Sequence, residues 1–457
     1  MNEPSRDELW AWDSQHVWHP FTPHSVYKDE SPLMVVAAEG HELIDVDGRR
    51  YLDAVSSLWC NAFGHRRPEI DAAIRAQLDR VAHSTFLGNA SAPAVSLAKR
   101  LVDLAPDPLT RVFYSDNGST AVEIALKMAW QYWQQTPGGE KRQTFIKMGN
   151  AYHGDTIGAV SVGGIDIFHA RYGGLLFDTV QAPSPSAYRH EGYATRAEAE
   201  EAAVQAFEQL ISAHGADLAA VVVEPGVQGA AGMLTQPEGF LRRIREATTR
   251  AGSLLILDEV AVGFGRSGET MFACEALGVE PDFLCLAKAL TGGYLPMSAT
   301  LTTERVFEAF LGAPELGRTF FHGHTYTGNA LAAAAAHATL DIFADENVLA
   351  GLPKKTAYLR DKLAGLERHP AVGDIRQFGL CAGVELVSDR RTKTPYPAAQ
   401  RRGMKVCLAA GRRGVFLRPL GDVIVMMPPL SLSEAEYDRL FDALHGALDD
   451  EMSDAQP

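Results

Sequence analysis

Leu254-Leu255-Ile256-Leu257-Asp258 and Phe283-Leu284-Cys285-Leu286-Ala287-Lys288 decide the fold. Each is a short apolar run, without polar alternation, that stops at a polar group. Such runs describe strands covered on both faces, as in a mostly parallel sheet. Working outward, 219–223 (AAVVV) and 144–147 (TFIK) repeat the pattern, and 111–114 (RVFY) is a further short β-rich run. Ala92–Leu104, 120–133 (TAVEIALKMAWQYW) and 239–250 carry helical periodicity between and around them. Strands alternating with amphipathic helices predict an α/β domain with helices on both faces of its sheet. We expect this large domain to occupy 85–335.

The two ends read differently. The stretch 41–52 (HELIDVDGRRYL) alternates in polarity and contains Asp47-Gly48, which predicts an antiparallel hairpin. Toward the C-terminus, 379–387 and 423–427 read as strands among helices. We expect 1–84 and 336–457 to combine into a smaller α+β domain beside the large one. The acidic tail 449–457 (DDEMSDAQP) is expected to fray.

Composition narrows the function. The 457 residues are 46% hydrophobic and 22% charged, the proportions of a globular chain rather than a disordered one. Lys and Arg total 42 against 57 Asp and Glu, a net charge of −15, which argues against nucleic acid or an anionic membrane as partner. The five cysteines are odd in number and form no CxxC pair, so neither a disulfide framework nor a zinc site is indicated. No apolar stretch accompanies Glu3, Arg6, Asp7 and Glu8 that could act as a signal peptide. No segment approaches the length of about 18 apolar residues needed to span a bilayer. These features predict a cytoplasmic protein.

In an open α/β sheet, ligands bind beyond the carboxyl ends of the strands. Glu224, Asp258 and Lys288 follow three such ends. An aspartate in that place also serves simply to cap a turn. Lys288 lies between a buried-strand pattern and Gly292-Gly293. A lysine walled by small apolar residues loses solvation, which favours its neutral, nucleophilic form. The bland alternative is a lysine that snorkels to the surface. A Schiff-base lysine working with an aromatic cofactor calls for a carboxylate at the ring nitrogen, and Asp258 suits that role. Ser115-Asp116-Asn117-Gly118-Ser119-Thr120 precedes a long helix and offers either an anion site or a plain N-cap. Taken together, the three features predict a site for a phosphate-bearing aldehyde. Gly263-Phe264-Gly265-Arg266-Ser267-Gly268 satisfies G-x-G-x-x-G, but no strand-turn-helix frames it, so a dinucleotide is not expected.

The stretch from Asp258-Glu259-Val260 to Gly268, with Lys288 beyond it, resembles the class III (ω-)aminotransferases dependent on pyridoxal 5'-phosphate. Trp18-His19-Pro20-Phe21-Thr22, Tyr152-His153-Gly154-Asp155-Thr156, Glu224-Pro225, His322-Gly323-His324-Thr325 and Arg418-Pro419 narrow the resemblance to the 7,8-diaminopelargonic acid (DAPA) aminotransferases of biotin biosynthesis. It covers nearly the whole chain. It implies a transferase of fold type I and a homodimer with shared active sites. Lys288 would carry the Schiff base and move the proton, and Asp258 would pair with the pyridine nitrogen. Gly118 and Ser119 would hold the phosphate, helped across the dimer by His324 and Thr325. Tyr152 would stack on the cofactor, Gly323 would let backbone approach the substrate, and Arg418 would clamp its carboxylate. Glu224 and Arg266 receive no chemistry. The implied substrates are 8-amino-7-oxononanoate (KAPA) and an amino donor, by default S-adenosylmethionine, used in two half-reactions through one site.

The chain departs from the family pattern where the donor would lie. Phe21 stands where Tyr is common, Leu58-Trp59 where many members have two tryptophans, and His324 where Pro is usual. Losing a hydroxyl and an indole weakens the case for an adenosyl-sulfonium donor, which aromatic faces serve. These positions look closer to a branch of the family that uses L-lysine. Other class III substrates such as ornithine, 4-aminobutyrate or a β-amino acid are the nearest rivals, and a catalytically dead binding homologue is the rival of a different class.

Overall fold

Leu254–Asp258 is the middle strand of a seven-stranded sheet in a computed structural model that describes residues 4–30 and 32–452. The strand order is Leu109–Ser115, Ser298–Thr303, Phe283–Leu286, Leu254–Asp258, Leu218–Val223, Thr144–Met148, Val180–Ala182. The last five run parallel to one another. The apolar runs arise because this sheet is buried on both faces. Leu255, Leu257, Val221 and Val223 face one core, whereas Leu254, Ile256, Ala220 and Val222 face another. Alternate residues of one strand therefore serve two different cores.

Helix Gly118–Gln135 fills the second core with Val122, Ile124, Ala125 and Ala129. Ala92–Leu104, Arg196–Ala213 and Phe240–Ala251 close the first with Leu97, Leu101, Phe207 and Ile244.

Ser298–Thr303 (SATLTT) is a strand that hydropathy did not announce. It runs antiparallel to both neighbours. Its hydroxyls are buried but satisfied: Thr300 Oγ1 donates to the Ala121 carbonyl at 2.8 Å and Thr302 Oγ1 to the Asp282 carbonyl at 3.0 Å. Satisfied hydroxyls let a polar run occupy a core position.

The two ends of the chain meet in one sheet. Val35–Glu39, Glu42–Asp45 and Arg50–Asp53 form an antiparallel meander, and Val415–Phe416 adds to it parallel to Arg50–Asp53. A second small sheet orders Val372–Phe378, Cys381–Leu386, Val423–Met426 and Arg418–Leu420, all antiparallel. Helix Glu434–Glu451 takes up the start of the acidic tail, and 453–457 lie outside the described residues. The G-x-G-x-x-G segment forms turns, and the next helix is the short Ala273–Ala276, so the framing a dinucleotide needs is missing. No helix among the described residues is long and apolar enough to cross a membrane, and all five cysteines are free.

Candidate active site

The parallel register pairs Asp258 with Cys285, so Lys288 stands three residues beyond that pair at the same end of the sheet. Glu224 follows the neighbouring strand directly. Asp258, Glu224, Lys288, Tyr152, Gly118 and Ser119 line one cleft of about 730 Å³. The residues singled out from five separate stretches thus share a single space.

Lys288 lies at the floor of the cleft with a left-handed backbone, φ 48°. A branchless residue is not required there, but the conformation is strained and persists only because its surroundings impose it. Its Nζ sits 4.7 Å from the centroid of the Trp59 ring. Burial pulls the ammonium below its ordinary range, and the charge of Asp258 only partly opposes this. The amine is therefore poised toward its neutral form.

Asp258 is held from two sides. Its Oδ2 bonds His153 Nδ1 at 2.7 Å, and its Oδ1 accepts the Val260 N–H at 3.0 Å. Burial alone would lower the His153 imidazole, but the bond to Asp258 and the charges of Asp258 and Glu224 outweigh it and raise the group overall. The buried imidazole leaves Nε2 without a hydrogen-bond partner. His153 is a site residue to which sequence patterning gives no role; its place in the Tyr152-His153-Gly154 motif is the one signal that could have found it.

Glu224 accepts the N–H groups of Tyr152 at 3.0 Å and Gly229 at 3.1 Å. It thereby fixes the backbone on which the Tyr152 ring is mounted. The Tyr152 hydroxyl donates to Asp155 at 2.8 Å, and burial together with that carboxylate pushes the phenol up, so it stays protonated.

At the far end, Asn117 caps the helix Gly118–Gln135 by accepting the Thr120 N–H at 3.1 Å. The N–H groups of Gly118 and Ser119 have no acceptor within the helix, as at any helix start. Two contacts explain the residue types. A Cβ on Gly118 would come within 2.5 Å of Val260, and Gly154, at φ 108°, lies so close to Ser119 that a Cβ would meet it at 2.4 Å. Carboxylate, amine, aromatic wall and helix N-terminus together offer a partner to each group of a flat, phosphorylated pyridine aldehyde.

A second lobe of about 600 Å³ opens beside the first and shares Lys288, Trp59, Leu58 and Tyr152 with it. Phe21 and Arg418 line it, as do Phe168, Met404 and Leu420, which sequence patterning did not single out. The Leu58-Trp59 turn between the lobes is clamped from below. Asp53, fully buried, accepts the Ser57 N–H at 2.7 Å and bonds His65 Nε2 at 3.1 Å. Arg266 is buried completely and donates to Ser56 Oγ at 3.0 Å and to the Pro428 carbonyl. Through these two bonds Arg266 ties the turn to the C-terminal part of the chain.

Gly323, His324 and Thr325 do not line this cleft. His324 Nδ1 reaches the rim through Asp116 Oδ2 at 2.9 Å, and the Thr325 carbonyl accepts from His83. Nothing stands within 4 Å of where a Gly323 side chain would begin, and Phe321 and Tyr326 beside it are 83% and 60% exposed.

Burial pushes the Glu224 carboxyl up to about 7 from an ordinary 4.5, partly offset by His153. A carboxyl raised on folding stabilises the protein while protonated, and that contribution is lost as pH rises through its folded value. Wild type is therefore expected to lose more stability than Glu224→Gln between pH 4.5 and pH 7. Urea midpoints at the two ends of that range test this. The amide forfeits one N–H bond at every pH, so the difference between the two midpoints is the quantity to compare.

The family model for aminotransferase class-III matches residues 24–448. A protein of Nitratidesulfovibrio vulgaris named adenosylmethionine-8-amino-7-oxononanoate aminotransferase is 56% identical over 441 residues, covering 96% of this chain and 81% of the relative. The crystal structure of the aminotransferase of the same name from Methanocaldococcus jannaschii superposes with a TM-score of 0.92 at 42% identity, covering 98% of this chain and all of that one. A PLP-bound amine transaminase from an uncultivated Pseudomonas species aligns at 38% identity and a TM-score of 0.90, covering 95% of this chain and 99% of that one. The matched residues include the large sheet and the clamped Leu58-Trp59 turn, and the chain belongs to the class-III aminotransferases.

Proposed function

We propose that this chain transfers an amino group to 8-amino-7-oxononanoate, giving 7,8-diaminononanoate for biotin synthesis. The observation that carries the reading is the joining of two lobes at Lys288, one bearing the carboxylates of Asp258 and Glu224 and the helix start at Gly118, the other bearing the guanidinium of Arg418. The cofactor is pyridoxal 5'-phosphate; when bound, it supplies an aldehyde that takes up the amino group and a protonated pyridine that accepts the electron pair released at carbon.

The chain's own residues do the rest. Asp258, aligned by His153, holds the proton at the ring nitrogen. Gly118 and Ser119 bind the phosphate with the helix start. Tyr152, fixed through Glu224, backs the ring. Lys288, depressed by burial, moves a proton at the substrate carbon, and its neutral form suits it to act as a base near neutral pH. Arg418, which has no ion-pair partner among the described residues, binds the substrate carboxylate in a fork.

Phe21, Leu58 and Trp59 border the donor. S-adenosylmethionine is the donor suggested by the relatives' name. L-lysine is the second reading, favoured because Phe21 offers no hydroxyl and Leu58 no indole in the lobe that a donor must enter. The exposed Gly323 and Thr325, with the half-buried His324 between them, lie outside their own chain's cleft and support a homodimer in which each subunit supplies them to its partner. The division at 84 and 335 into a cofactor-binding domain and a smaller domain built from both ends belongs to the same proposal, as does a cytoplasmic location.

Three outcomes are expected. Lys288→Ala abolishes both turnover and the visible absorbance of the protein-bound cofactor; a variant that keeps either speaks against the assignment. Asp258→Asn lowers the thermal unfolding midpoint, because it breaks a buried pair with His153, but leaves the protein folded and lowers kcat by about a hundredfold or more, the scale of a lost charge contact in a buried site. KAPA supplied with each donor separately yields 7,8-diaminononanoate by mass spectrometry with S-adenosylmethionine. Product from lysine alone would transfer the donor assignment, and product from neither would remove the acceptor.

A further inference from the structure

We infer that Phe168 selects substrates by their hydrocarbon chain. The inference rests on the reading of KAPA as acceptor and names the residue that recognises its unbranched chain. The Phe168 ring stands edge-on between two others: its centroid is 5.3 Å from Phe21 at an interplanar angle of 71°, and 6.0 Å from Tyr152 at 76°. It therefore links the wall of the cofactor lobe to the N-terminal segment that closes the second lobe.

Its direction is fixed by the next residue. His169 is buried, lies parallel to the Tyr152 ring at 6.4 Å, and its Nδ1 accepts the Ile165 N–H at 3.2 Å. Gly163 makes room for this, since a Cβ there would come within 2.2 Å of the imidazole. Ile167, on the other side, is 85% exposed, so the short turn Asp166–His169 presents the rings of Phe168 and His169 inward and one aliphatic side chain outward.

Phe21, Phe168, Leu58, Leu420 and Val425 give apolar surface to the lobe that Lys288, Arg401, Arg418 and Asp422 also line. A straight chain that reacts at one end and carries a carboxylate at the other satisfies both ends at once. Its methylenes leave water against aromatic and aliphatic surface, and each one buried adds to the affinity. Phe168 carries no polar or titratable group, so it offers such a chain apolar contact alone. It is a specificity-determining residue rather than part of the chemistry.

The test compares wild type, Phe168→Ala and Phe168→Leu as cofactor-loaded enzymes. Phe168→Ala is expected to raise KM for KAPA by about tenfold to a hundredfold, the range set by one apolar pocket contact, and to change kcat less. Phe168→Leu restores most of the loss. Octanoate, a bare chain with a carboxylate, is expected to bind the wild-type holoenzyme in calorimetry and to lose affinity in Phe168→Ala by a similar factor. An unchanged KM and octanoate affinity in Phe168→Ala overturns the inference. So does a fall in kcat with an altered cofactor spectrum and KM intact, since Phe168 would then act only through Tyr152. Failure of the wild type to convert KAPA with either donor refutes the acceptor reading instead, and the octanoate comparison still decides the role of Phe168.

Discussion

Keeping an amine dry at the edge of a buried sheet is the constraint on which the site depends. Lys288 loses hydration, takes up a left-handed backbone and gains only a partial return from the charge of Asp258. A surface lysine would escape all three conditions by moving into water. Lys288 is held because the strand before it, Phe283–Leu286, is fully buried and paired on both sides. Phe21, Trp59 and Arg401, which line the same cleft, also have positive φ. Backbone strain concentrated at one cleft is stored by a rigid core and spent on placing side chains.

Buried charges locate the parts that the sheet does not. Asp258 is aligned by a buried histidine, Glu224 fastens the Tyr152 backbone, and Asp53 with Arg266 secures the turn bearing Leu58 and Trp59. Arg266 is unusual among them, because its partners are a carbonyl and a hydroxyl rather than a carboxylate. Burying a guanidinium without a direct ion pair is expensive, and burial holds its pKa below the usual range, with the charge of Asp53 opposing this only in part. The cost is consistent with its position, which joins the glycine-rich turn of the large sheet to the Ser56 and Pro428 segments that frame the second lobe.

The two lobes are assembled on different principles. The cofactor lobe draws on the carboxyl ends of three adjacent strands and one helix start, a place where any open α/β sheet gathers polar groups. The second lobe draws on segments distant in sequence: Phe21, Leu58, Phe168, Tyr396 and Arg418. Cofactor chemistry thus belongs to the sheet, whereas substrate choice belongs to short segments laid over it. Such segments tolerate substitution, which is where Phe21 and Leu58 depart from the commoner pattern.

How much was legible in the chain follows the same boundary. LLILD and FLCLAK announced the buried strands, because a strand covered on both faces must be apolar throughout, and their terminal Asp258 and Lys288 followed from that alone. The hairpin at 41–52 was readable from its alternation and its Asp-Gly turn. SATLTT was not readable, since its hydroxyls find partners only once the sheet and the helix Gly118–Gln135 are in place. His153, Phe168 and the clamp made by Arg266 and Asp53 were likewise hidden, although His153 sat inside a family motif. Local sequence determined the strands, their polar ends and the helix start, because periodicity and capping act over a few residues. Only the tertiary structure decided which distant rings and charges meet, because a contact such as Phe168 against Phe21 depends on the relative placement of segments that no local pattern records.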